Sequence, residues 1–251
     1  MSQFSEESIE LCCYWYDRPM IATEYARWVF GLLNTLKKEG GFFSNIYLLK
    51  KYKNEYKSTD LNEDEFEKLI FSNLSKENAY INPESSEKYL TPDSRCPLGF
   101  SSTFITAIDS NAPRFLIEVR IGKSLTNSVN TLIIRCLAND LESTFLAKIF
   151  QTLVKYSSPS HAHCWNQSLS KRIAQPVGDV YVGWLTYFSD SKIAELVNDI
   201  ATVSPLEAGA LISVGEQRVF SIDDSVVSNI LAVVDRLGGS GYLADPRRRK
   251  T

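Results

Sequence analysis

Between Gly99 and Leu137 three apolar runs of strand length follow one another, at Gly99 to Ile108, Arg114 to Ile121 and Ser128 to Leu137. The turn residues Asp109-Ser110-Asn111 and Gly122-Lys123-Ser124 separate them, so an antiparallel meander is the economical arrangement. In the middle run Phe115, Ile117, Val119 and Ile121 alternate with Leu116, Glu118 and Arg120. That period of two implies one buried face and one partly wet face.

Helical patterns flank the meander. Ile21, Tyr25, Trp28, Val29, Leu32, Leu33 and Leu36 recur at steps of three and four, and Gly40-Gly41 stops the pattern. Phe145, Leu146, Ile149, Phe150 and Leu153 give a second helix, expected to lie on the buried face of the meander. A third starts at Thr59 or Asp60 as N-cap and runs through Phe66, Leu69, Ile70 and Leu74, with acidic residues in its first turn as the helix dipole favours. Short helices are expected at Gln167 to Ile173 and, capped by Asp190, from Ser191 to about Ile200. Asp223 caps a closing helix that ends at Gly238-Gly239. Further strands are expected at Ile9 to Tyr16, Ser160 to Trp165 and Val180 to Phe188, and a hairpin around Gly215 from Leu206 to Val214 and Arg218 to Phe220. The pattern predicts an α+β fold, antiparallel sheet or sheets with helices on one or both faces, in a single larger domain over residues 1–251. Two segments stand apart from it: the proline-rich stretch 82–97, expected to be a mobile loop, and the basic end 246–251, expected to be disordered.

Composition narrows the class. Apolar residues at 44% and aromatics at 12% are ample for a packed core. No apolar run reaches the roughly 18 residues of a membrane span, and the N-terminus is acidic where a signal peptide is basic, so a cytoplasmic protein without a membrane partner is expected. Five scattered cysteines suit a reducing compartment, where they behave as small hydrophobes. Net charge is −3, yet four of the 27 basic residues are Arg247, Arg248, Arg249 and Lys250. Without them acidic residues outnumber basic ones 30 to 23, a balance that repels phosphate backbones and suits a basic protein partner.

The residues that could carry chemistry are few. His161 and His163 share a strand face with Trp165 while Cys164 points the other way. A His-x-His pair is two ligands short of a structural zinc site, so half-buried imidazoles bonded to neighbours are the expectation, with no metal. Cys96 or Cys164 with either histidine defines a cysteine-hydrolase alternative. Gly238-Gly239-Ser240-Gly241 follows a helix where a phosphate loop follows a strand, and reads as a helix stop. Tyr47 to Lys57, with four lysines among tyrosines, reads either as a nucleic-acid strip or, favoured by the acidic body, as an amphipathic helix with solvated lysines. No cofactor, catalytic group or nucleic-acid partner is expected.

Several of these segments resemble one family. The strand ending in Tyr14-Trp15-Tyr16 with Arg18 behind it, the helix with Tyr25-Ala26 and Leu32-Leu33, the run Gly183-Trp184-Leu185-Thr186-Tyr187-Phe188, and Gly209 to Val214 followed by Phe220-Ser221-Ile222-Asp223 resemble the immunity protein 52 family of bacterial polymorphic-toxin systems. The resemblance spans nearly the whole chain, with a longer segment than usual from Phe42 to about Pro97. It implies a non-enzymatic antitoxin that binds and inhibits a cognate toxin, a restriction-endonuclease-like nuclease delivered by type VI secretion. A homodimer is compatible with it, and a protein-binding scaffold module without a toxin partner is the nearest alternative. The contact candidates are Glu63, Asp64 and Glu67, which equally suit a solvated helix face; Trp184 and Tyr187, which equally suit core packing; and Asp190.

Overall fold

The computed structural model describes residues 8–16, 18–50, 55–74, 90–106, 115–123, 129–136, 141–173, 180–215 and 222–244. Among them are six α-helices and ten strands of one antiparallel sheet, the α+β class expected from the sequence. In chain order they are β1 (Ile9–Trp15), α1 (Ala22–Lys38), β2 (Ile46–Lys50), β3 (Glu55–Ser58), α2 (Glu63–Leu74), β4 (Phe100–Thr106), β5 (Phe115–Ile121) and β6 (Asn130–Cys136). Then come α3 (Ser143–Ser157), β7 (His161–Asn166), α4 (Gln167–Ile173), β8 (Leu185–Phe188), α5 (Ile193–Val197), β9 (Thr202–Leu206), β10 (Gly209–Ser213) and α6 (Asp224–Gly239). Contacts gather the chain into two compact units: a terminal unit, Met1–Tyr14 with Arg135–Thr251, and an inserted unit, Trp15–Ile134.

In the inserted unit the strand order is β3-β2-β4-β5-β6, which includes the predicted meander. Phe115, Ile117, Val119 and Ile121 are fully buried while Leu116 and Glu118 are half-buried and Arg120 is exposed, as the period of two requires. α1 buries Tyr25, Val29, Leu32, Leu33 and Leu36 and packs on α2. Ring pairs fill the interior: Tyr25 of α1 with Phe100 of β4 at 5.2 Å, Phe30 of α1 with Phe66 of α2 at 5.4 Å, and Phe43 with Phe115 of β5 at 4.7 Å. The described part of the 82–97 segment is tied to the start of α1, where Ala22 and Thr23 donate backbone N–H groups to Ser94 and Pro92 carbonyls at 2.9 and 3.0 Å. Residues 82–89 lie outside the described residues, as do Asp109-Ser110-Asn111, Arg218 to Phe220 and the basic end 246–251.

Four expectations are corrected. Within Tyr47 to Lys57 the described residues are two antiparallel strands, β2 paired with β3, and not an amphipathic helix; residues 51–54 lie outside the described residues. Ile46 and Leu48 are buried by pairing with β4, and that tertiary partner overrides the tyrosine spacing that imitates a helix. The cap of α2 is Asn62, not Thr59 or Asp60. Its Oδ1 accepts the Glu65 N–H at 3.0 Å and Glu65 Oε2 accepts the Asn62 N–H at 3.3 Å, a reciprocal box. Thr59 instead donates its hydroxyl to the Ile46 carbonyl at 2.8 Å. Finally, the Leu206 to Val214 run turns on itself at Glu207-Ala208, so β9 and β10 form the hairpin, with Glu207 at φ 51°. The helix predicted to about Ile200 ends at Val197, which leaves Thr202 to Leu206 free to pair as β9.

The terminal unit has the order β1-β7-β8-β10-β9. Its registers assign every side chain to a face, because residues directly opposite in an antiparallel pair point the same way. Leu11 pairs Cys164, Cys164 pairs Leu185, Leu185 pairs Ser213, and Leu211 pairs both Tyr187 and Ser204. These residues share one face. Glu10, Cys12, Tyr14, His161, His163, Trp165, Thr186 and Phe188 share the other. β10 is buried at every position. Asp223 caps α6 as expected, accepting the Val226 N–H at 2.9 Å.

Candidate functional site

The Gly-Trp-Leu-Thr-Tyr run organises the terminal unit. At Gly183 a Cβ would lie 2.0 Å from the Cys164 carbonyl oxygen, so only glycine lets the chain approach β7 this closely. Its N–H donates to Thr186 Oγ1 at 3.0 Å. Trp184 is then held on both sides, its N–H donating to the Cys164 carbonyl at 3.0 Å and its carbonyl accepting from Val214 at 2.9 Å. Only 2% of Trp184 and of Tyr187 is exposed.

A pocket of about 280 Å³ opens beside Trp184. One wall is the face of α3 that carries Thr144, Lys148 and Gln151 at helical spacing. The other is the sheet face defined above, with Leu185 and Ser213 opposite each other and Leu211 and Ser204 opposite each other. Trp184 and Val214 add apolar surface, and Gly215 stands at the rim. Among the described lining residues Lys148 is the charged one, and the rest are apolar or neutral polar. Its volume lies at the lower edge of the usual range for small-molecule sites.

The opposite sheet face carries an aromatic cluster. Tyr14 stacks on His161 at 5.2 Å and on His163 at 5.5 Å, and His163 meets Trp165 edge-on at 4.6 Å. His161 Nε2 lies 2.9 Å from the Tyr181 carbonyl. His163 is fully buried, and neither ring nitrogen has a hydrogen-bond partner among the described residues. Burial, with His161 beside it, holds its pKa well below the ordinary imidazole value, so the ring is neutral. Among the described residues no group of three or more His, Cys, Asp or Glu is arranged to hold a metal ion.

Of the cysteine–histidine pairs, those with Cys164 lack the geometry of a catalytic pair. Cys164 lies on the face opposite both histidines, and burial pushes its thiol well above the usual range. Cys12, which does face His163, is likewise pushed up by burial first and by Glu10 second. Cys96 belongs to the inserted unit, is 1% exposed, and burial raises its thiol too.

The other contact candidates divide between the units. Glu63 and Asp64 are exposed in the first turn of α2, with Glu67 half-buried, all in the inserted unit. Arg27 Nε lies 3.5 Å from Glu63 Oε1 and 4.0 Å from Glu67 Oε2. Asp190, in the terminal unit, is engaged twice: Oδ1 accepts the Lys192 N–H at 3.0 Å and Oδ2 accepts the Tyr242 hydroxyl at 2.8 Å. Trp15 and Arg18 have their own setting in the inserted unit. The guanidinium of Arg18 lies 5.2 Å from the Trp15 ring and 5.0 Å from that of Trp28. Sequence reasoning missed the pocket, whose walls come from four separated segments; only Trp184 was marked.

No protein-family model and no curated protein matches this sequence. A likeness of fold does exist, to the solved structure of the Pseudomonas aeruginosa T6SS protein PA0821, with a TM-score of 0.50 at 10% identity. The match covers 91% of this chain and 74% of that one, so the shared architecture includes most of both units. Among the described residues no helix is long and apolar enough to cross a membrane.

Proposed function

We propose that this chain is an immunity protein that binds and inhibits a cognate toxin, a restriction-endonuclease-like nuclease effector of a type VI secretion system, in the cytoplasm and without catalysis of its own. The observation that carries the reading is the fold shared over 91% of the chain with the Pseudomonas aeruginosa T6SS protein PA0821. It converges with the independent resemblance of the Tyr14-Trp15-Tyr16 and Gly183–Phe188 segments to the immunity protein 52 family. The chemistry of the interior supports it as well: the thiols and the imidazole that a hydrolase would need are buried, and burial holds them in their neutral forms. An inhibitor with excess acidic residues would gain capture rate and specificity against the basic cleft of a nuclease.

Co-expression with the toxin encoded beside it is the direct test. Restored growth and co-purification at a one-to-one ratio are expected, with a Kd of about 1 nM or tighter. Growth arrest despite abundant folded protein rejects the reading.

A further inference from the structure

We propose that the outer edge of β3 is a self-recognition surface: two copies of the chain pair there as antiparallel strands, with Tyr56 facing its own copy across a two-fold axis and Glu55 facing Lys57 of the partner subunit. Among the described residues β3 has a neighbouring strand, β2, on one side only, and all four of its residues are exposed. One hydrogen bond decides which backbone groups face outward. Thr59 donates its N–H to the Ile46 carbonyl at 3.1 Å, and bonded and non-bonded pairs alternate along an antiparallel ladder. The Leu48–Lys57 and Lys50–Glu55 pairs are therefore the bonded ones, while Tyr56 and Ser58 turn their N–H and C=O away from β2. An antiparallel partner must set an outward residue against an outward residue. With Tyr56 opposite Tyr56 of the partner subunit, Glu55 and Lys57 meet twice, in the non-bonded pairs where opposed side chains come closest. Sliding Tyr56 opposite Ser58 of the partner subunit puts Lys57 on the axis against its own copy, and like charges directly opposite repel. A lysine on an edge ordinarily wards off other strands, but this edge carries the counter-charge two positions away. Neither Glu55 nor Lys57 has an ion pair among the described residues, so both charges are free to be shared. The other terminal strand, β9, is built against such pairing. Val214 donates its N–H to the Trp184 carbonyl at 2.9 Å, so Ala210 and Ile212 bond toward β8, and Pro205, opposite Ala210, turns to the outer edge with no N–H to give.

The contact needs no toxin, so the purified chain suffices for the test. Four residues a side make a transient contact, and sedimentation velocity from about 10 µM to about 1 mM is expected to show reversible exchange between monomer and dimer. Glu55→Lys and Lys57→Glu each set like charges opposite one another and are expected to weaken dimerisation at least about fivefold. The double variant exchanges the charges and is expected to restore it to within about twofold. Tyr56→Pro deletes the outward N–H without touching the β2 ladder, and is expected to abolish the dimer in a chain that circular dichroism finds folded. A chain that stays monomeric across the whole range overturns the proposal. So do single variants of wild-type strength, a double variant no better than the single ones, or a folded Tyr56→Pro chain that dimerises as the wild type does. Should Tyr56→Pro fail to fold, Tyr56→Cys takes its place. Mild oxidation is then expected to join two copies through position 56, because the five natural cysteines are buried. Failure of that cross-link to form overturns the register.

Discussion

His163 is the residue whose physics is most exposed to experiment. Its ring is packed among Tyr14, His161, Trp165 and Tyr181, and its pKa in the folded chain lies well below the unfolded value of 6.5. The unfolded chain therefore binds a proton that the folded chain refuses, and stability falls as pH drops below about 6.5. Between pH 7 and 5.5 the loss is about 1 kcal/mol from this group alone. His163→Leu keeps the volume and removes the proton site, so chemical denaturation at the two pH values should differ less in the variant than in the wild type. An unchanged difference would sink the assignment. Part of this was legible from period alone: alternation along residues 161–165 puts Cys164 opposite the two histidines. That His163 would have no hydrogen-bond partner among the described residues was not, because nothing local reveals which rings the neighbouring strand and the Tyr181 segment bring over it.

At the scale of elements, long apolar patterns were readable and short polar ones were not. The apolar positions of α1 and the alternation of β5 are each repeated often enough to outweigh noise: Tyr25, Val29, Leu32, Leu33 and Leu36 are buried in α1, with Trp28 half-buried and Ile21 at the N-cap, and β5 alternates as read. Residues 47–57 offered tyrosines at near-helical spacing and no such redundancy; pairing with β4 decided their state. Caps failed for a related reason. Thr59, Asp60 and Asn62 are all competent, and the choice depends on where β3 ends and on Thr59 being drawn to the Ile46 carbonyl. The two residues can be separated by urea unfolding. Asn62→Ala should cost about 1 kcal/mol, since it breaks the reciprocal box with Glu65. Asp60→Ala should stay within about 0.5 kcal/mol, because its side chain is 98% exposed and its 3.8 Å contact to Lys37 is an exposed ion pair. Equal losses would return the cap to the earlier position.

For the whole molecule, charge is the property that fold likeness leaves undetermined. A TM-score of 0.50 at 10% identity carries the architecture across and none of the surface. The surface must be argued from this chain's own composition: 30 acidic residues against 27 basic, with four of the basic ones gathered at Arg247 to Lys250. If the acidic excess steers the chain toward a basic nuclease, the steering acts on encounter and is screened by salt, while the short-range contacts of the docked complex govern release. The association rate constant with the toxin should then fall by about tenfold or more between low and high ionic strength, with dissociation nearly unmoved. Deleting residues 246–251 removes four cations and should speed capture at low salt, an effect that high salt erases. Stopped-flow or biosensor kinetics measure both. A salt-independent association rate would reject charge steering altogether, and slower capture by the shortened chain would mean that recognition runs through the basic end and not through the acidic body.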